Sequence, residues 1–214
     1  MKRITLSKTL NNLLRGLPQG EMVTVNWMIS KTEGRGIYLV FIWLSLPFVV
    51  PVSIPGFSVL IGFVFLCLCW SLLLGDVGRL PRFIGDRPLP LNRESRFFRA
   101  SMRFLIWLER WVKPRKSEWI HWHSVSTLNT LLLAFLAFLL VCPVPGVIPF
   151  TNSLPTYAII AIAAGVMEED GVCLSFGYIL FLATCVYFVL IAGSIIALLN
   201  RYYDDILSWL QQLI

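Results

Sequence analysis

Polar residues that could do chemistry cluster in the segment FTNSLP, from Phe150 to Pro155, inside a long apolar run. The prolines around the segment predict that a helix breaks here and restarts near Thr156. Backbone amides at a restarting helix, together with Thr151, Asn152 and Ser153, could bind an anion or a polar group. Transporters use broken helices in this way. The same side chains could instead cap the restarting helix. The sequence leaves both interpretations open.

Carboxylates follow the restarted helix at Glu168, Glu169 and Asp170, just before Gly171. A carboxylate held inside a membrane is a candidate for carrying a proton or an ion. Asp76 stands at the matching place after the first apolar run, so Asp170, Glu169 and Asp76 are candidate residues for that role. A solvated turn that closes the helix is the simpler interpretation.

Four arginines, Arg96, Arg99, Arg103 and Arg110, recur at helical spacing within residues 92–112, and apolar side chains occupy the other positions. The pattern predicts a helix at the membrane interface, with its apolar side in the lipid boundary. Its arginines would then face anionic lipid headgroups, each contributing about 1 kcal/mol. A basic stripe can also bind nucleic acid, but beside membrane spans we expect no nucleic-acid partner.

Motifs typical of soluble enzymes are absent from the sequence: there is no GxGxxG, GxxxxGKS, HExxH or GxSxG. His121 and His123 lie among tryptophans and are interpreted as polar interface residues rather than a metal site. We interpret all five cysteines as small packing residues because they fall in apolar runs without a CxxC pair. The sequence therefore predicts no metal and no cofactor. Of the function classes, an enzyme is the least favoured.

Long uncharged runs must position these residues. Charged residues make up 14% of the chain and hydrophobic ones 57%. Residues 36–75, 124–167 and 171–200 contain no Asp, Glu, Lys or Arg. A charge near the centre of a membrane helix costs roughly 2.5 to 3.5 kcal/mol, so runs of this kind suit a lipid bilayer. The sequence predicts an all-α, polytopic membrane protein.

Prolines divide the first two runs. PVSIPG (Pro51 to Gly56) and PVPGVIPFTNSLP (Pro143 to Pro155) each interrupt a run, which predicts two Pro-broken helical hairpins. Whether the short first arm, from Ile37 to Val50, crosses the membrane or re-enters it stays open. The halves align at an offset of 94 residues, which places Pro51 on Pro145 and Asp76 on Asp170. This internal repeat adds Ser53 and Ser58, at the first break, to the candidate polar pocket.

The distribution of Lys and Arg predicts the orientation. Eleven lie between Asp76 and His123, six lie up to Arg35, and one, Arg201, follows His123. The positive-inside rule places both basic segments, and hence the N-terminus, in the cytoplasm. Because the first 35 residues lack the features of a cleaved signal, the run from Gly36 is expected to be an uncleaved anchor.

The predicted segments are a cytoplasmic amphipathic segment (1–35), a first membrane hairpin (36–75), a basic cytoplasmic loop with the interfacial helix (76–123), a second hairpin with a final transmembrane helix (124–200), and an amphipathic tail (201–214).

IPFTNSLPTYAIIAIAAGVMEEDG (Ile148 to Gly171) resembles the signature of the ExoD family of exopolysaccharide-synthesis proteins. The first half fits as well, through PVSIPGFS with Gly62 downstream and through RLPRF at Arg79 to Phe83. The resemblance extends from about Thr9 to Leu198. Phe63 stands where the family pattern has a proline, and an amide expected near Trp70 is missing, so the first break departs from the pattern.

The resemblance implies a multi-pass protein of the bacterial inner membrane that is linked to exopolysaccharide production and, in some relatives, to tolerance of alkaline conditions. The leading hypothesis is a non-enzymatic, transporter-like protein whose two hairpins face each other around a polar pocket. The alternative is a scaffold or regulatory subunit that docks polysaccharide enzymes through its basic surface. The expected partners are the bilayer, its anionic lipids and other membrane proteins of exopolysaccharide synthesis.

Overall fold

A computed structural model describes residue 26 and residues 36–49, 56–75, 96–112, 120, 122–142 and 148–213. These residues form helices and no strand, which confirms the all-α class. The helices are α1 (Gly36–Ser45), a 3-10 helix (Leu46–Phe48), α2 (Phe57–Leu73), α3 (Arg96–Trp111), α4 (His123–Val141), α5 (Ser153–Met167) and α6 (Gly171–Leu213). Both proline-rich breaks, at 51–55 and 143–147, lie outside the described residues.

Helix boundaries follow the prolines. Pro47 lies in the 3-10 helix that ends the first arm, because a proline in the last turn leaves no hydrogen for an α-helical bond. Pro155 lies in the first turn of α5, where its missing hydrogen is harmless. The helix therefore begins at Ser153, three residues before the predicted restart at Thr156.

The first arm and α2 run antiparallel. The ring of Phe41 lies 4.8 Å from that of Phe65, and the ring of Phe48 lies 5.5 Å from that of Phe57. Phe48 ends the 3-10 helix and Phe57 begins α2, so their contact shows that the chain reverses direction between these two residues. The first apolar run is thus a helical hairpin.

Of the helix pairs among the described residues, α5 and α6 pack together most closely. A Cβ added at Gly165 would lie 2.7 Å from the backbone nitrogen of Leu174, and one added at Gly177 would lie 2.9 Å from that of Ile162. These contacts make α6 antiparallel to α5. The α4 helix runs in the direction of α6, since Asn129 and Phe135 contact Tyr178 and Phe181 in the same order.

Two short helices form the centre of the bundle. Most residues of α1 and of α5 are buried, and these two helices pack on each other. The α2 helix packs on α4, and α4 and α6 both pack on α5. Around this core, large apolar side chains point outward, among them Leu60, Phe138 and Leu190. All five cysteines are free thiols and at least partly buried.

Two helices are long and apolar enough to cross a membrane, by length and composition: His123–Val141 and residues Gly171–Tyr202 of α6. Shorter apolar helices cover Gly36–Phe48, Phe57–Leu73 and Ser153–Met167. The buried positions of α6, Gly171, Leu174, Gly177 and Thr184, all lie in its first half, and every described residue from 192 to 202 is exposed.

Left-handed backbone marks both ends of α2 and of α5. Gly56 (φ 80°) precedes α2 and Gly75 (φ 70°) follows it, whereas Phe150 (φ 62°) precedes α5 and Glu169 (φ 56°) follows it. Each residue of the second pair lies 94 residues after its counterpart in the first.

Candidate functional site

The turn before α5 is held by its own backbone. The amide of Leu154 donates to the carbonyl of Phe150 at 3.0 Å, across the left-handed residue. The hydroxyl of Thr151 donates to the carbonyl of Ile148 at 3.2 Å. Thr151 and Ser153 are buried, and Asn152 between them is half-buried. The three predicted polar residues therefore lie together, covered by protein.

Capping does not explain the side chain of Asn152. This residue is the N-cap of α5, yet its side chain makes no capping hydrogen bond. Its carbonyl oxygen accepts bonds from the amide of Thr156 at 3.3 Å and from the hydroxyl of Thr156 at 2.7 Å. The side chain of Asn152 thus takes no part in capping α5, and the polar pocket at Thr151–Ser153 stays a prediction.

Two tyrosines fix the breaks to the rest of the bundle. The hydroxyl of Tyr187 on α6 donates to the carbonyl of Pro149, next to the polar turn. The hydroxyl of Tyr157 on α5 donates to the carbonyl of Val49 at 2.6 Å, at the end of the 3-10 helix. Each bond satisfies a carbonyl that none of the described helices uses, which matters in an apolar surrounding.

The starts of α2 and α5 flank the end of the 3-10 helix. Phe48 contacts Phe57 at the first residue of α2, and Val49 accepts the bond from Tyr157 in α5. Ser58, in the first turn of α2, is buried. Ser53 lies outside the described residues. The first break thus contributes one described polar side chain and the second contributes three.

The acidic cluster is a compact link between α5 and α6. The amide of Asp170 donates to the carbonyl of Gly165 at 2.9 Å, and that of left-handed Glu169 donates to Val166 at 3.4 Å. This is the Schellman pattern that closes a helix. Glu168 and Glu169 are half-buried, so the cluster is not simply a solvated turn.

Asp170 caps the N-terminus of α6. Its Oδ1 atom accepts hydrogen bonds from the amides of Val172 at 3.0 Å and Cys173 at 3.3 Å. The residue is 1% exposed, and a carboxylate at a helix N-terminus is stabilised by the helix dipole. The cap gives this carboxylate a structural role, whatever else it does. Asp76 lies outside the described residues.

The helix α3, which the sequence predicts at the membrane interface, has a polar and an apolar face as a surface helix does. Arg99, Arg103 and Arg110 are exposed, whereas Leu108 and Val112 are buried against the bundle. The Nε of Arg103 donates to the carbonyl of Arg99 at 3.4 Å. Arg96 is the first residue of the helix, and its side chain lies outside the described part. Only part of the apolar face of α3 points away from the bundle, because the rest of it covers α5 and α6.

Sequence reasoning missed the polar pair of Asn129 and Tyr178. The Tyr178 hydroxyl donates to Oδ1 of Asn129 at 2.6 Å, which joins α6 to α4. Asn129 is 1% exposed, and its Nδ2 has no hydrogen-bond partner among the described residues. A signal was present, because Asn129 and Asn152 are the only amide side chains in the uncharged residues 124–167.

The chain is similar to known proteins along most of its length. A family model described as "Exopolysaccharide synthesis, ExoD" matches residues 6–190. Protein ExoD of Rhizobium meliloti (strain 1021) is 29% identical over 193 residues, which cover 90% of this chain and 80% of that protein. An uncharacterized protein of Synechocystis sp. is 23% identical over 175 residues, 81% of either chain. No solved structure matches.

Proposed function

This chain belongs to the ExoD family of exopolysaccharide-synthesis proteins, and from that premise we propose a transporter-like protein of the bacterial inner membrane. Two related hairpins, α1–α2 and α4–α5, would face each other around the polar turn at Thr151–Ser153. Through this pocket the protein would act in exopolysaccharide synthesis or export and in envelope homeostasis, including tolerance of alkaline conditions.

The repeated backbone of α2 and α5 is the observation that carries the proposal. The left-handed residues recur at an offset of 94, and so do the bonds around them. Leu60 donates to Gly56 as Leu154 donates to Phe150, and Gly75 donates to Leu72 as Glu169 donates to Val166. Bonds of this type are common at helix ends, so the support for a repeat comes from their position, at the same offset of 94 residues as the sequence motifs.

Packing between the hairpins is reciprocal. The first arm of the first hairpin, α1, packs on α5, the second arm of the second hairpin. Conversely, α2 packs on α4. Two copies of one unit related by a pseudo-two-fold axis would exchange their arms in this manner, as in transporters built from internal repeats. Such transporters bind substrate where the repeats meet.

The depth of the polar turn supports a pocket inside the bilayer. The uncharged part of α6 ends at Asn200 and Arg201, and a hydrocarbon core of about 30 Å takes about 20 residues. The span would then begin near residue 180. Tyr187, which holds Pro149, would lie within about 5 Å of the midplane at 1.5 Å per residue.

Irregular backbone at that depth has to be covered by protein or line a wet cavity. Thr151 and Ser153 are buried in the bundle and meet this requirement, whereas the exposed Pro149 and Phe150 would have to line a wet cavity. We infer that α4 and α5, which meet at this turn, form a re-entrant hairpin. The α6 helix would then be the element that crosses completely.

Replacing Asn152 by leucine tests the pocket. In a strain that lacks the native copy, we expect Asn152→Leu to lower exopolysaccharide output and growth at high pH. Loss of a hydrogen bond to substrate, about 1 to 1.5 kcal/mol, corresponds to roughly a fivefold to tenfold effect. The measurements are polysaccharide yield and growth rate at matched protein levels.

Asn200→Leu makes the same replacement at an exposed position near the end of the apolar part of α6 and serves as the control. It should leave both readouts near wild type. If Asn152→Leu were equally silent at matched protein levels, Asn152 would have no part in the mechanism.

Docking of polysaccharide enzymes is the second candidate function. The exposed Arg99, Arg103 and Arg110 favour it, because a basic surface attracts acidic partners as well as lipid headgroups. A docking protein does not need the polar turn, so docking predicts that Asn152→Leu has no effect. The same assay therefore separates the two functions.

A further inference from the structure

A cavity of about 640 Å³ lies between α3 and the hairpin of α5 and α6. Trp107 and Leu108 line it from α3, Ile160 from α5, and Val172 and Phe176 from α6. Its volume is within the range of about 300 to 1,000 Å³ that is typical of ligand sites. The polar turn at Thr151–Ser153 is not part of its lining, so this is a separate site.

Three polar side chains on its walls, those of Tyr157, Cys173 and Asp170, are already bonded to the protein. The Tyr157 hydroxyl donates to Val49, and the Cys173 thiol donates to the carbonyl of Ala161 at 3.4 Å. Oδ1 of Asp170 accepts two amides of α6. A sugar placed here would leave hydroxyl groups without partners, which costs free energy in an apolar site. The walls suit a hydrocarbon ligand.

The helix α3 indicates which hydrocarbon. Trp107 and Trp111 are exposed side chains that line the cavity, and their rings lie 5.9 Å apart. Exposed tryptophans of this kind are typical of the membrane interface. Arg103 and Arg110 lie four residues before Trp107 and three after it, so they flank it on the helix surface.

We propose that the cavity binds an acyl chain of an anionic phospholipid, with the phosphate beside Arg103 and Arg110. The chain replaces contacts that an empty apolar cavity lacks, and the charges match. This inference rests on the membrane insertion in the proposed function, but not on the polar turn. The bound lipid would fasten α3 to the hairpin of α5 and α6.

Photolabelling tests the proposal. The full chain is placed in bilayer discs that contain phosphatidylglycerol with a diazirine on one acyl chain, and labelled peptides are identified by mass spectrometry. We expect label on the walls at residues 104–112 and 157–180. Val172→Trp, on the open side of the cavity, should lower that label about tenfold, the effect of a loss of about 1.4 kcal/mol in binding.

Val186→Trp is the matched control. Val172 and Val186 are 55% and 60% exposed on the same helix, but Val186 does not line the cavity. If both variants keep the label on the walls, or both lose it, the cavity is not the binding site. Label on residues 189–199 reports insertion separately, and its absence would overturn the membrane placement as well.

The headgroup is tested with the same photoreactive chain on phosphatidylcholine. We expect weaker labelling of the walls by this lipid than by phosphatidylglycerol. In the double variant Arg103→Gln and Arg110→Gln, the difference between the two lipids should disappear. Equal labelling of the wild-type walls by both lipids would overturn the assignment to an anionic lipid.

Discussion

In both hairpins the second helix, α2 or α5, lies between two left-handed residues, but the residue types at these positions differ. In the first hairpin these residues are Gly56 and Gly75, whereas in the second they are Phe150 and Glu169. Glycine adopts this conformation without steric cost, while other residues pay about 1 to 2 kcal/mol. The second hairpin therefore stores strain that the first one avoids.

The polar side chains are concentrated in the hairpin with the strained backbone. The second hairpin brings together Thr151, Asn152 and Ser153, and the first offers the buried Ser58 among its described residues. Strained backbone persists where surrounding contacts over-determine it, and it is concentrated at ligand sites. Under the proposed function, the first hairpin would supply the frame and the second hairpin would supply the site. This division also agrees with the departures from the family pattern at Phe63 and near Trp70.

The largest expected effect tests the packing that holds the strained half in place. A Cβ at Gly165 would lie within 2.8 Å of two backbone atoms of Leu174, which no rotamer change can relieve. We expect Gly165→Leu to force α6 away from α5 and to destabilise the fold by about 3 kcal/mol or more. The measurement is the midpoint of thermal unfolding in detergent, followed by size exclusion.

Gly193→Leu provides the comparison for that variant. A Cβ at Gly193 meets nothing within 4 Å, so the unfolding midpoint should stay close to wild type. Similar losses at both positions would mean that the close contact of α5 and α6 is not what stabilises the second half.

The next effect separates structure from chemistry at Asp170. Because its Oδ1 caps α6, Asp170→Ala should cost about 1 to 2 kcal/mol, whereas Asp170→Asn should keep most of the stability. If the carboxylate also carries a proton, Asp170→Asn will lower growth at high pH while the unfolding midpoint changes little. A fully active Asp170→Asn would restrict this residue to capping.

Much of the fold could be predicted from the sequence. Uncharged runs gave the helices, prolines gave the breaks, and arginine spacing gave α3. The start of α5 was placed at Thr156 rather than Ser153, because a proline in a first turn is tolerated and does not mark the boundary.

The site was predicted only in part. Local polarity pointed to Asn152, but the contacts of Asn129 with Tyr178 and of Pro149 with Tyr187 join residues 49 and 38 positions apart. Such contacts depend on how α4 and α6 pack, which apolar composition does not specify. The cap formed by Asp170 was missed for a different reason. The sequence alone does not show which of three consecutive carboxylates caps the next helix, because that depends on the backbone between the helices.

The smallest effect bears directly on the comparison, because adding a Cβ at the left-handed position of the first hairpin and removing one at the matching position of the second should change stability in opposite directions. Gly75→Ala places a Cβ on left-handed backbone with no neighbour within 4 Å, so its cost is conformational alone, about 1 kcal/mol. Glu169→Gly, at the matching position, should relieve strain and stabilise the protein by up to about 1 kcal/mol. The greater freedom of glycine in the unfolded chain reduces that gain. Unfolding midpoints of both variants, measured in one detergent, give the two signs. If Glu169→Gly destabilised the protein as much as Gly75→Ala, contacts of the Glu169 side chain would outweigh its backbone strain, and the second hairpin would not be the strained one.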